Sequence, residues 1–236
     1  NVFVTGREDR SDLGQGTNIW VRKYNTNGVI QWTTTYNSVA NSTDDGWGIT
    51  VDIGGNVYVN GYDNRTDLGQ SNNIWIRKYD TNGLVLWTTT YNSVANSVDI
   101  GYGITTDNSG NAYVTGYETR TDIGQGDNVW IRKYDTNGLV LWTTTYNSPA
   151  NSNDYGYCIT ADNSGNVYVT GFEDRSTDLG QNTNVWVRKY DANGLVIWTT
   201  TYNSLANSND QGYSITAENN GNVYVVGSEN RIDIGQ

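Results

Sequence analysis

The chain holds few residues that could act as catalysts. None of its 236 residues is a histidine, which excludes Ser-His-Asp triads, histidine bases and most transition-metal sites. Cys158 is the only cysteine, so no disulfide can form within the chain. Asp and Glu total 25 and aromatic residues make up 12%. We therefore predict a protein that is not an enzyme, and any site must be built from carboxylate and aromatic side chains.

These side chains recur at a regular spacing, because a segment of about 55 residues is repeated along the chain. Each copy opens with a version of Asn-Val-Tyr-Val-Thr-Gly, at Asn1, Asn56, Asn111, Asn166 and Asn222. A fixed period of this size is typical of solenoids, propellers and arrays. The chain therefore offers one surface several times over.

Six aspartates stand in short turns, but two repeated columns of aspartates do not. One lies in an Arg-x-Asp-x-Gly-Gln motif and the other in an Asn-Ser-x-Asp motif. Loops rich in oxygen ligands can bind Ca²⁺, so both columns are candidate metal ligands. In the alternative interpretation, each Arg pairs with an Asp and each Asp caps its own loop amides. The first column is Asp12, Asp67, Asp122 and Asp178, with Asp233 in a fifth motif, and the second is Asp44, Asp99, Asp154 and Asp210.

One aromatic column is a candidate ligand-binding surface. It consists of Trp47, Tyr102, Tyr157 and Tyr213. Trp and Tyr rings present flat apolar faces with a polar tip, and such rings can stack on pyranose faces. The alternative is that the column packs one repeat against the next.

Each repeat contains four strand-like runs, which we name a to d. In the third copy they cover 101–107, 111–117, 128–135 and 139–146. β-branched and aromatic residues dominate all four runs, and none has a helical period. Short Asx and Gly turns join a to b and c to d, as in antiparallel hairpins. Longer links join b to c and d to the next a.

Four antiparallel strands with this alternation predict an all-β fold, the blade of a β-propeller. Strand a would line the axis and strand d would form the outer edge. Trp130 and Trp142 would fill the space between neighbouring blades. The long links would gather on one face, and long loops on a rigid scaffold commonly carry binding sites.

The repeated motifs identify a family resemblance. The pattern Gly-Tyr-Gly-Ile-Thr-x-Asp-x-x-Gly-Asn-Val-Tyr-Val-Thr-Gly is followed by Trp-Ile-Arg-Lys-Tyr-Asp-x-Asn-Gly and Leu-Trp-Thr-Thr-Thr-Tyr. It resembles the bacterial SBBP beta-propeller repeat and is distantly similar to NHL and YWTD propellers. The resemblance implies a part of a large secreted or surface protein of a bacterium, and it supplies no catalytic motif.

We expect residues 1–236 to form one propeller domain or a segment of a larger ring. Incomplete blades at both ends would leave open strand edges, which favour pairing with another copy of the chain. The predicted partial blades are 1–37 and 212–229, and the predicted complete blades are 46–92, 101–147 and 156–203.

Charge and hydropathy exclude two classes of partner. The net charge is −11, and all but one of the 14 Lys and Arg residues fall in two repeat columns. Such a chain repels nucleic acid, and no apolar run reaches the length of a membrane helix. We therefore predict neither nucleic-acid binding nor membrane insertion.

A few positions depart from the repeat pattern. Because perfect repeats cannot form a unique site, these departures matter, but their scatter along the sequence favours interpretation as drift. They are Arg7, Asp45, Trp47, Asn60, Pro149, Cys158 and Val226.

The sequence thus predicts a non-enzymatic extracellular module. It would present its repeated loop face to a glycan or a protein partner. The alternative function is a structural unit that assembles with itself in a surface layer or filament. A polysaccharide-active enzyme is less favoured.

Overall fold

The structure, a computed structural model, describes residues 1–218 and 220–231. It is all-β apart from short 3-10 turns, and in this described part no helix is long and apolar enough to span a membrane. The strands are β1 (Val2–Asp9), β2 (Thr17–Tyr24), β3 (Ile30–Tyr36), β4 (Asp45–Val51), β5 (Val57–Asn64), β6 (Asn72–Tyr79), β7 (Val85–Tyr91), β8 (Asp99–Thr106), β9 (Ala112–Thr119), β10 (Asp127–Tyr134), β11 (Val140–Tyr146), β12 (Tyr155–Ala161), β13 (Val167–Asp174), β14 (Thr183–Tyr190), β15 (Val196–Tyr202), β16 (Gln211–Ala217) and β17 (Val223–Ser228).

The strands form five separate antiparallel sheets, each a blade. Blade 1 is β1–β3, blade 2 is β4–β7, blade 3 is β8–β11, blade 4 is β12–β15 and blade 5 is β16–β17. The predicted all-β propeller architecture of four-stranded antiparallel blades is confirmed. The predicted strands of the third copy agree with β8–β11 to within two residues. The sequence did not predict the 3-10 turns at Ser11–Leu13, Thr66–Leu68 and Thr121–Ile123.

The two kinds of connection lie at opposite ends of the blades. Long links bond to one another: the amide of Gly126 donates to the carbonyl of Asn151 at 3.0 Å. Short turns meet at the other end, where Asn108 Nδ2 of blade 3 donates to Asn163 Oδ1 of blade 4 at 3.2 Å. The predicted grouping of the long links is therefore confirmed. We call the two ends the loop face and the turn face.

The core lies between the blades, because a single sheet cannot bury both of its own faces. One cluster joins Tyr58 and Ile76 of blade 2 to Trp130 and Tyr134 of blade 3, all fully buried. The Arg-Lys column also serves this interface, since the guanidinium of Arg132 lies 4.4 Å from the ring centroid of Tyr91. These arginines stack on aromatic rings and form no basic patch.

The second tryptophan column closes the interface near the turn face. The Trp87 indole donates to the carbonyl of Thr136 at 3.1 Å, and its ring lies against Gly138. A Cβ at Gly138 would stand 2.8 Å from that ring, and this residue has a φ of +84°. Only glycine meets both conditions without strain. The prediction that Trp130 and Trp142 fill the space between blades is confirmed by their places in the core clusters.

A threonine side chain of strand b makes the same hydrogen bond in three blades, and blade 2 lacks this bond. Thr115 Oγ1 donates to the carbonyl of Trp130 at 3.2 Å, and Thr5 and Thr170 make the equivalent bond. Blade 2 has Asn60 at this position. Its carboxamide is fully buried, and neither its oxygen nor its nitrogen has a hydrogen-bond partner in the described structure.

We predict that Asn60→Thr stabilises the protein. The hydroxyl restores the bond made in blades 1, 3 and 4 and removes two unpaired polar atoms, so the free energy of unfolding should rise by about 1 kcal/mol or more. Chemical denaturation measures the change. The reverse substitution Thr115→Asn is the control and should destabilise. A loss of stability in Asn60→Thr would contradict the prediction.

Candidate functional site

The predicted aromatic column forms a continuous row on the innermost strands. Neighbouring ring centroids of Trp47, Tyr102, Tyr157 and Tyr213 are 5.5, 5.3 and 6.0 Å apart along the row. Trp47 is 53% exposed and Tyr213 is 52% exposed, and the two central tyrosines are half-buried. We call this set the axial row.

A β-bulge places each ring of the axial row. In blade 2, Gly46 pairs with Gly61 and Gly48 pairs with Asn60, which leaves Trp47 without a partner in the ladder. The same shift occurs at the equivalent positions of blades 3, 4 and 5. A bulge redirects a side chain that a regular strand would pair. The bulged positions lie near the loop-face end of each inner strand.

Further aromatic rings, which the sequence did not single out, support the middle of the row. Tyr117 and Tyr155 stack with centroids 4.3 Å apart and planes 13° from parallel. Tyr102 lies 5.8 Å from Tyr117, and Tyr157 lies 5.7 Å from Phe172. The Tyr155 hydroxyl donates to Asp127 at 2.8 Å. The row therefore packs between blades and also presents partly open rings, so both predicted roles have a structural basis.

The first aspartate column braces the b–c loops. Arg65 Nε donates to Asp67 at 2.9 Å and Arg120 Nε donates to Asp122 at 3.0 Å. The same pairing recurs in Arg10–Asp12 and Arg175–Asp178. The guanidinium lowers the pKa of Asp67 and Asp122 by hydrogen bonding. Asp233 lies outside the described residues.

The second aspartate column ties the two long links together. Asp99 Oδ2 accepts the backbone amide of Ser93 at 2.5 Å, and its Oδ1 accepts that of Thr119 at 3.0 Å. Asp44, Asp154 and Asp210 accept equivalent pairs of amides. All four carboxylates are fully buried.

The calcium hypothesis for these eight aspartates stays a prediction. Both columns lie on the loop face, and each makes the contacts of the structural alternative: an Arg–Asp pair or capped loop amides. Among the described residues, no group of three or more Asp, Glu or Cys side chains is placed to hold a metal ion.

A third set of buried acids was missed by the sequence analysis. Glu118 and Glu173 are almost fully buried, and each accepts the tyrosine hydroxyl of the preceding blade, Tyr91 and Tyr146 respectively. The signal was present in the sequence, because an acid follows the aromatic residue of strand b in each of these copies.

Four of the departures that the sequence analysis interpreted as drift lie close together at the first blade interface. Arg7 Nη1 donates to Asp45 Oδ2 at 3.1 Å across the first blade interface. Trp47 lies two residues after Asp45, and Asn60 pairs with Gly48, the residue that follows Trp47 at the bulge. Cys158 stands next to Tyr157 in the axial row. Three of the seven departures, Asp45, Trp47 and Cys158, lie on inner strands, and Arg7 contacts Asp45 from the preceding blade.

The buried carboxylates predict a pH dependence of stability. Burial raises the pKa of Asp99 and Asp154 to about 7, and that of Asp63 to about 6, against about 3.9 in an unfolded chain. The protonated carboxyl groups contribute to the free energy of unfolding, and this contribution is fully present below about pH 4 and is lost as the pH rises through about 7. The free energy of unfolding should fall over this range, and no histidine can mask the effect.

Urea denaturation across this pH range measures the effect. Asp99→Asn with Asp154→Asn should flatten the decline. Asp122→Asn is the matched control and should leave the slope unchanged, because the pKa of Asp122 is lowered rather than raised. Equal slopes in wild type and the double variant would contradict the prediction.

Comparisons with known proteins agree with the blades. Residues 87–117, which run from β7 through β8 into β9, match the family model of the SBBP beta-propeller repeat. No curated protein matches the chain. Among solved structures, the chain is similar to a protein of unknown function from Bacteroides caccae. The sequences are 13% identical over 78% of this chain and 77% of that chain, with a TM-score of 0.36.

That structural likeness is too low to carry an argument about function. The family match rests instead on the segment that joins two neighbouring blades, which includes Trp87 and Tyr102. Over residues 87–117, this chain carries an SBBP beta-propeller repeat.

Proposed function

We propose that this protein is a non-enzymatic glycan-binding module whose binding surface is the axial row. The observation that carries the proposal is the row itself: four adjacent aromatic side chains from four blades, each placed by its own bulge. The family resemblance supports only the proposed location of the protein, either secreted by a bacterium or displayed on its surface.

The chemistry of the row suits sugars. Tyr and Trp combine an apolar face with a polar tip, and binding sites commonly consist of aromatic walls with a few polar groups that fix orientation. Rings held by a scaffold lose little conformational entropy on binding. On the same face of the blades, the Arg65–Asp67 and Arg120–Asp122 pairs brace the b–c loops.

Substitutions in the row test the proposal. Trp47→Ala and Tyr213→Ala should each weaken binding to the glycan found in an array screen by about tenfold, because each removes a stacking surface. Affinity is measured by titration calorimetry. Trp198→Ala and Tyr224→Ala are matched controls, since these residues are 36% and 54% exposed and lie away from the row. Equal loss in row and control variants, or no glycan binding by the wild type, would refute the proposal.

A second candidate function is assembly with other copies through the outer strands. The outer strands of complete blades, β7 and β11, each pair on one side only. Both have the sequence Val-Leu-Trp-Thr-Thr-Thr-Tyr, which contains no charge, proline or glycine. Exposed neutral strands of high β propensity favour edge-to-edge pairing. Val85 and Leu86 add exposed apolar side chains at 42% and 49%.

Light scattering at increasing protein concentration tests this candidate. We expect the mass of the wild type to rise with concentration, and Leu86→Lys with Leu141→Lys to remain monomeric because charge blocks edge pairing. The control is Leu68→Lys with Ile123→Lys, which adds the same charge to the loop face at side chains of similar exposure. A wild type that stays monomeric at every concentration would eliminate assembly.

A further inference from the structure

The blade interfaces differ from one another at one pair of positions. One repeat column lies two residues before the axial row in the sequence and consists of Asp45, Ile100, Tyr155 and Gln211. It is the only repeat column in which all four copies have a different residue. A second column lies on strand b of the preceding blade and consists of Arg7, Tyr62, Tyr117 and Phe172. Where the structure shows direct contacts, these two columns meet: as an ion pair in Arg7–Asp45 and as a ring stack in Tyr117–Tyr155.

The first interface carries the only cation outside the repeated basic columns. Arg7 Nη1 donates to Asp45, whose side chain is 9% exposed, and the Arg7 side chain is 59% exposed. Burial raises the pKa of Asp45, and the guanidinium opposes that shift. Among the described residues, no other acceptor contacts this guanidinium. The exposed Arg7 side chain therefore has further N–H groups that can donate to a ligand while Nη1 donates to Asp45.

This ion pair adjoins one end of the axial row. Asp45 and Trp47 stand on either side of Gly46 at the bulge. Their counterparts in blade 4 are Tyr155 and Tyr157, whose ring centroids lie 6.1 Å apart. The two blades share the same bulge, so Asp45 and Trp47 stand in the same backbone relation as this tyrosine pair. We call Arg7, Asp45 and Trp47 the anchor.

The middle of the row has different chemistry. There, Tyr117 and Tyr155 stack, and Asp127 accepts the Tyr155 hydroxyl. No guanidinium lies beside Tyr102 or Tyr157 in the described structure. The row therefore has one end that can donate charge-assisted hydrogen bonds beside an indole, and a middle that offers mainly aromatic surface.

We propose that the axial row binds a single neutral, linear oligosaccharide in one orientation, with a terminal sugar held at the anchor by the Arg7 guanidinium and the Trp47 ring. This inference rests on the proposed glycan-binding function. A neutral ligand fits because the Arg7–Asp45 pair has no net charge, and a chain of net charge −11 repels polyanions. Four different interfaces cannot form four equivalent sites, so one ligand per chain is expected.

The experiment replaces the anchor pair with one that the fold already uses. Arg7→Tyr with Asp45→Tyr reproduces the Tyr117–Tyr155 pair at the first interface, so no buried charge is left unpaired. Calorimetry with cellohexaose, mannohexaose and hexagalacturonate gives affinity and stoichiometry for each protein. Thermal unfolding confirms that the variant is folded. Tyr117→Phe, which keeps the ring stack and the Tyr155–Asp127 bond, is the matched control.

We expect the wild type to bind one neutral hexasaccharide per chain and to bind hexagalacturonate more weakly. The double variant should lose ten- to a hundredfold in affinity, roughly the effect of a hydrogen bond to a charged group, and Tyr117→Phe should stay within about twofold of the wild type.

Unchanged affinity in the folded double variant, several equivalent sites, or tighter binding of hexagalacturonate would each overturn the inference while leaving glycan binding intact. Absence of binding to all three sugars, together with a negative array screen, would remove the proposed function as well.

Discussion

The packing of aromatic side chains between neighbouring blades is the interaction on which the rest of the structure depends. A four-stranded sheet of this length has two faces and no core of its own. Trp130 and Trp186 are fully buried because each packs against the preceding blade. Burial of side chains of this size is the dominant favourable term in folding. This packing holds neighbouring blades side by side, and it thereby sets the positions of the loops and of the axial row.

The interface also explains the most regular polar residues of the chain. Arg132 stacks on Tyr91 and Trp130, and Lys133 reaches the carbonyl of Ala192 in the next blade. Charged groups are tolerated at such positions when they are paired or hydrogen-bonded. The Arg-Lys column is thus part of the framework that joins the blades.

The loop face has hydrogen bonds that recur in every copy, and it lies beside a few positions at which the copies differ. Buried carboxylates such as Asp99 accept two backbone amides each, which ties the long links to one another. On this frame, the inner-strand positions that differ between copies, such as Asp45 and Tyr155, are brought next to the axial row. A repeated frame with one varied position can support a unique site, whereas a uniform repeat cannot.

The sequence alone determined the strands, the turns and the grouping of long links, because β propensity and Asx or Gly turns act over a few residues. It also determined the candidate aromatic column, since the period aligns Trp47 with Tyr102. It could not show that Arg7 meets Asp45, because that contact joins residues 38 apart and depends on how two sheets pack. Nor could it show that Asp99 is buried and accepts two backbone amides. Only the tertiary structure decided that, because burial and the direction of two backbone amides are properties of the packed loops.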